Sequence, residues 1–132
     1  MKQIIISAVF ATLFVTACDK SGPEPLPAPS LIGKWGVVTV HEKEVDNGAI
    51  AYDDIYTGQA SDYMEFKSDN TLSLSIDGFN ATINYKLLPD NKVEISGDIL
   101  IIQSLTENSA TLYLKDDYGA NSFDETTYSL RR

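Results

Sequence analysis

The stretch Thr71-Leu72-Ser73-Leu74-Ser75-Ile76-Asp77-Gly78-Phe79-Asn80-Ala81-Thr82-Ile83-Asn84-Tyr85-Lys86-Leu87 decides the fold. Leu72, Leu74 and Ile76 alternate with Thr71, Ser73, Ser75 and Asp77. After Asp77-Gly78, Ala81, Ile83, Tyr85 and Leu87 alternate with Thr82, Asn84 and Lys86. A period of two places every second side chain on one face of a strand. Two such runs joined by Asp-Gly predict an antiparallel hairpin with one apolar and one polar face.

The same period extends outward in both directions. Upstream, Trp35, Val37 and Thr39 share one face of a first strand, with His41 nominally on that face at its end, and Met64 and Phe66 alternate with Tyr63, Glu65 and Lys67. Downstream, Val93 and Ile95, Leu112 and Leu114, and Thr126, Tyr128 and Leu130 repeat it. Turn chemistry separates the runs at Ser68-Asp69-Asn70, Pro89-Asp90-Asn91, Ser96-Gly97-Asp98 and Glu107-Asn108-Ser109. The pattern predicts an all-β fold: a small antiparallel up-and-down barrel of about eight strands over residues 31–132. Its inward set is Trp35, Met64, Phe66, Leu72, Leu74, Ile76, Ile83, Tyr85, Leu87, Ile95, Leu112, Leu114 and Tyr128. An eight-stranded barrel is just wide enough to be filled by side chains or to hold one small ligand.

Two stretches break the pattern. Ile99-Leu100-Ile101-Ile102 is apolar on both faces, which predicts a strand covered on both sides, with an exposed contact surface as the other reading. Glu42 to Asp62 is acidic and aromatic, with a turn at Asp46-Asn47-Gly48, and is too long for a plain hairpin connection. It is expected to be a long loop, and loops of this length are often lids.

The N-terminal residues carry a different signal. Lys2 is followed by an apolar run, Ile4 to Val15, broken only by Ser7 and Thr12. The run is shorter than the about 20 residues a spanning helix needs and fits a secretory signal. It ends in Val15-Thr16-Ala17-Cys18, which resembles the bacterial lipobox, so residues 1–17 are expected to be a cleaved signal peptide and Cys18 a lipidated N-terminus. Pro23, Pro25, Pro27 and Pro29 then disfavour helix and sheet. Residues 18–30 are therefore expected to be a stiff tether reaching roughly 35 Å from a membrane, at ~3.1 Å per residue. Cys18 is the only cysteine, so the domain has no internal disulfide and no Cys-based zinc site.

The formal charge of −9 becomes −10 without the signal, because Lys2 is the one charged residue removed. That balance serves solubility and argues against a nucleic-acid partner. Chemistry is sparse. His41 is the only histidine, no Ser–His–carboxylate spacing stands out, and no cofactor motif or metal-ligand set is present. Asp53-Asp54 and Asp116-Asp117 are expected in loops; on a strand, each pair would split to opposite faces and make no acid/base dyad. Asp116 to Asn121 has oxygen ligands and a glycine suited to Ca²⁺, but its spacing favours a hairpin turn. No enzymatic activity is expected.

Gly33-Lys34-Trp35 resembles the Gly-x-Trp opening of lipocalins, and the wider pattern is similar to the lipocalin-like domains of Bacteroides-type lipoproteins. The matching pieces are Leu31 to Trp35, Met64 to Thr71, Tyr85-Lys86-Leu87 and Ile102 to Thr106. The chain is shorter than ordinary lipocalins and lacks their helix. The resemblance implies that Trp35 plugs the closed end of a barrel, that Gly33 lets the chain approach, and that Arg131 packs over the indole. It also implies an envelope lipoprotein, with the outer membrane ranked above the inner, anchored through the lipid on Cys18. Two functions are carried. In the first, a small hydrophobic ligand enters the open end, with Tyr52, Ile55 and Tyr56 as lid contacts, His41 at the rim and Tyr85 facing inward. In the second, the barrel is filled and the protein is an interaction or inhibitor module meeting an envelope protein.

Overall fold

The computed structural model describes residues 28–132, so the expected signal peptide, Cys18 and most of the expected tether lie outside the described residues. The described residues contain nine strands and no helix: β1 Gly33–Asp46, β2 Ala49–Thr57, β3 Tyr63–Phe66, β4 Thr71–Ile76, β5 Phe79–Leu88, β6 Lys92–Ile95, β7 Asp98–Leu105, β8 Ser109–Gly119 and β9 Ser122–Arg131. Each strand from β3 to β9 pairs antiparallel with the next, and β9 returns to β1. This closes an up-and-down barrel of eight strands, with β2 as one extra strand on β1. The closed barrel and its core lie between Leu31 and Arg132.

Short mirror-type turns make the hairpins at one end. Asp77 and Gly78 have φ of 49° and 77°, and Asn47 and Gly48 have 50° and 81°. Both central residues are left-handed, which matches the twist of the flanking strands. Gly33, with φ of 128°, begins β1 at the other end.

The segment 42–62, expected to be a loop, is mostly sheet. Glu42 to Asp46 continue β1, the expected turn falls at Asn47-Gly48, and β2 runs back along β1 in a register pairing Glu42 with Asp54 and Glu44 with Tyr52. Only residues 58–62 remain as loop. The length that argued against a hairpin is two long strands, whose mixed polarity hid their period.

Thr39 and His41 also depart from expectation. Val37 pairs with Leu130 and Thr39 with Ser129, which leaves Val38 as an extra bulged residue. One added residue exchanges the faces of everything beyond it. Trp35 and Val37 therefore face inward as read, but beyond the bulge Val40 is buried and Thr39 and His41 turn outward. The loop 58–62 fits against this bulge. Gly58 N–H donates to Val38 O at 2.9 Å and Val37 N–H to Asp62 O at 3.0 Å. A Cβ on Gly58 would lie 2.0 Å from the Val37 carbonyl oxygen, so no other residue fits there unaltered.

The core fills the end of the barrel where β1 begins. Leu31, Trp35, Phe66, Leu72, Val93 and Leu112 are buried there. Each such aliphatic side chain contributes about 1.5–3 kcal/mol by leaving water. Trp35 donates its indole Nε1–H to Leu31 O at 2.7 Å, so its polar atom is satisfied. The guanidinium over the indole belongs to Arg132, not the expected Arg131, with its central carbon 4.0 Å from the ring centroid. Arg132 also donates to Ser30 O at 3.0 Å and to Ile32 O at 2.5 Å. Arg131 is the last paired residue of β9 and points the other way by strand alternation. Gly33 is needed here, since a Cβ would lie 2.9 Å from the Arg132 guanidinium.

Two apolar assignments change as well. Leu87 is exposed despite its inward period, because it lies near the end of β5. In β7, Leu100 is buried but Ile99 and Ile101 are exposed, so this strand is covered on one face only.

Candidate ligand cavity

Beyond the packed core the barrel opens into a cavity of about 500 Å³. Its floor and walls are Val40, Met64, Leu72, Leu74, Ile76, Ile83, Ile95, Leu100, Leu114 and Tyr128. These residues come from all eight strands of the closed barrel, and each faces inward by the same alternation that builds the core. Phe79 adds an exposed ring at the outer end. The volume lies within the about 300–1,000 Å³ of small-molecule sites.

Two of the expected ligand contacts line this space and three do not. Tyr52 and Tyr56 face it from β2. Ile55, between them in sequence, projects from the opposite face and is exposed. His41 lies on that outer face, where its Nε2 is 2.7 Å from Asp53 Oδ1. Tyr85 belongs to the packed end: its ring meets Phe66 edge-on at 5.1 Å, and its hydroxyl donates to Lys67 O at 2.7 Å. Burial raises its pKa.

Tyr56 is held in place from behind. Its hydroxyl donates to Asp62 Oδ2 at 2.5 Å, and Gln59 N–H donates to the same oxygen at 2.8 Å. Asp62 is buried, and these two donors, the backbone one foremost, lower its pKa. The hydrogen bond that Tyr56 donates to Asp62 raises the pKa of Tyr56. Sequence reading did not single out Asp62, because one acidic residue beside a turn carries no signal of burial.

The polar lining is acidic. Glu42, Asp54, Asp77 and Asp98 border the cavity, and among the described residues no Lys, Arg or His does. Tyr52 is raised in pKa mainly by the Asp54 charge, and Tyr128 by burial and then by Glu42 and Asp98. An adjoining space of about 260 Å³ shares Glu42 and Tyr52 and adds Lys43, Glu44, Asp124, Glu125 and Thr126. There, Tyr118 donates to Asp124 Oδ2 at 2.7 Å, a bond that lifts its pKa to about 12, while Asp124 Oδ1 is buried without a partner.

The paired aspartates fall on strands rather than in loops and split as strand alternation requires. Asp53 turns outward to His41 and Asp54 inward; Asp117 turns outward to Lys115, whose Nζ is 3.0 Å away. Asp116 to Asn121 forms the end of the β8–β9 hairpin, as read. No group of three or more metal-ligating side chains converges among the described residues. No protein-family model matches this chain, and no curated protein matches it.

Proposed function

We propose that this protein is a lipid-anchored envelope lipoprotein whose lipocalin-like barrel holds a small hydrophobic ligand. One observation carries the ligand reading: half of the barrel interior is packed and the other half is an apolar cavity of about 500 Å³ that reaches solvent. Burial of an apolar body against Leu74, Ile83 and Leu114 supplies the affinity, and Tyr52 and Tyr56 supply aromatic walls with polar tips. The anchor rests on the lipobox-like Val15 to Cys18 and the proline tether. An interaction module with a filled barrel is less well served, because the interior is not filled.

One experiment reads both halves of the proposal. The full chain is produced in a Gram-negative host, extracted from membranes in mild detergent and weighed by native mass spectrometry. The expected mass is that of an acylated chain starting at Cys18, with a discrete noncovalent adduct that is lost in Ile83→Trp. An unacylated or uncleaved chain would overturn the anchor. A chain with no adduct would overturn the ligand.

A further inference from the structure

The outer and inner faces of the same four strands treat charge in opposite ways. Outside, charges are matched across strands. Lys43 pairs in register with Asp53 on β2 and Glu125 on β9, and Lys115 also pairs with Glu125. Lys43 and Lys115 both lie over the Phe123 ring. Inside, like charges stand directly opposite one another: Glu42 with Asp54, Glu44 with Asp124, and Asp116 with Asp124. Like charges in direct cross-strand register destabilise a sheet. Among the described residues no Lys, Arg or His lines the main cavity, and Lys43, which borders the adjoining space, directs its Nζ to Glu125 on the outer face at 3.9 Å. Asp77 and Asp98 face the same space from the opposite hairpins. The buried, partnerless Asp124 Oδ1 adds an acceptor that lacks a donor.

The apolar walls and this uncompensated charge adjoin at Glu42, Asp54 and Asp98, which border the cavity itself. We infer that the ligand is an amphiphilic cation, with an apolar body in the cavity and an ammonium-type head against the inner faces of β1, β2, β8 and β9. The head supplies the donors and the positive charge that the inner face lacks. The inference rests on the ligand-binding reading above and gives its chemical class. An anionic amphiphile, such as a fatty acid, would place its carboxylate among four others and is disfavoured.

The test uses residues 19–132, which keep Ser30 against Arg132 and whose cooperative thermal unfolding is checked first, and three probes of one chain length: dodecylammonium, dodecanol and dodecanoate. Binding is measured by titration calorimetry below the micellar concentration at low ionic strength. Partly exposed ion pairs are each worth roughly two- to fivefold in affinity, so dodecylammonium should bind at least about tenfold tighter than dodecanoate, with dodecanol between. In Glu42→Gln/Asp54→Asn that preference should fall to within about threefold while dodecanol binding is unchanged. The same variant should be as stable as the parent or more so, because a like-charge pair has been removed. Asp90→Asn/Glu107→Gln, at the packed end, should leave the preference intact. Dodecanol binding without any charge preference, or a preference that survives Glu42→Gln/Asp54→Asn, would overturn the inference and leave the ligand reading standing. Failure of all three probes to bind would overturn both.

Discussion

The two ends of this barrel are built from the same strands with the same alternation, yet they do opposite things. At the packed end, inward positions hold Trp35, Phe66, Leu72 and Leu112, all buried, and Arg132 covers the indole from outside. At the other end, inward positions on the extensions of β1, β2, β8 and β9 hold Glu42, Glu44, Asp54, Asp116 and Asp124. Between them the interior passes from filled to open. A period of two specifies which side of the sheet a residue faces. What it meets there depends on how many large side chains share that level of the barrel. The packed end therefore carries stability, and the open end is free to carry recognition.

The comparison can be broken most directly with paired truncations. Trp35→Ala should lose about 3–5 kcal/mol of unfolding free energy, because a rigid core cannot collapse around the void. Leu74→Ala, on the cavity wall, should lose about 1–2 kcal/mol, because part of its surface already faces open space. Urea denaturation of both would show it, and equal losses would mean that the two ends are equally packed. A smaller effect separates the two terminal arginines. Arg132→Ala should lose roughly 1–2 kcal/mol through the cation–π contact and its hydrogen bonds, and Arg131→Ala should stay within about 0.5 kcal/mol. The reverse order would return the plug to Arg131.

The smallest expected effect sharpens the boundary between the ends. Asp62 fastens Tyr56 to the cavity wall, and its pKa in the folded chain lies below the ordinary 3.8. A depressed carboxylate stabilises the fold above its unfolded pKa, and that contribution disappears as pH falls through the folded value. The thermal stability of the parent should therefore exceed that of Asp62→Asn at neutral pH, with the gap narrowing below about pH 4. A gap that stays constant into strong acid would show that the carboxylate charge plays no part.

Much of the architecture was legible in the residues. Alternation of Leu72, Leu74 and Ile76 against serines, and the left-handed turn pair Asp77-Gly78, locate β4, β5 and their inward faces without any tertiary information. Two regions escaped. The β1–β2 arm has inward carboxylates and outward Ile50 and Ile55, the reverse of the usual order, so its period read as a loop. The bulge at Val38 leaves no compositional mark, and missing it sent His41 to the wrong face.

The sequence by itself determined an all-β barrel, its turns and most of its inward set, because strand period and turn geometry are local properties of the backbone. Only the tertiary structure decided that Arg132 rather than Arg131 covers Trp35, that Tyr52 and Tyr56 face the cavity while His41, Ile55 and Tyr85 do not, and that carboxylates from separate hairpins meet on one inner face. Those outcomes depend on register and closure, which sum small shifts along whole strands and bring together residues that no local pattern connects.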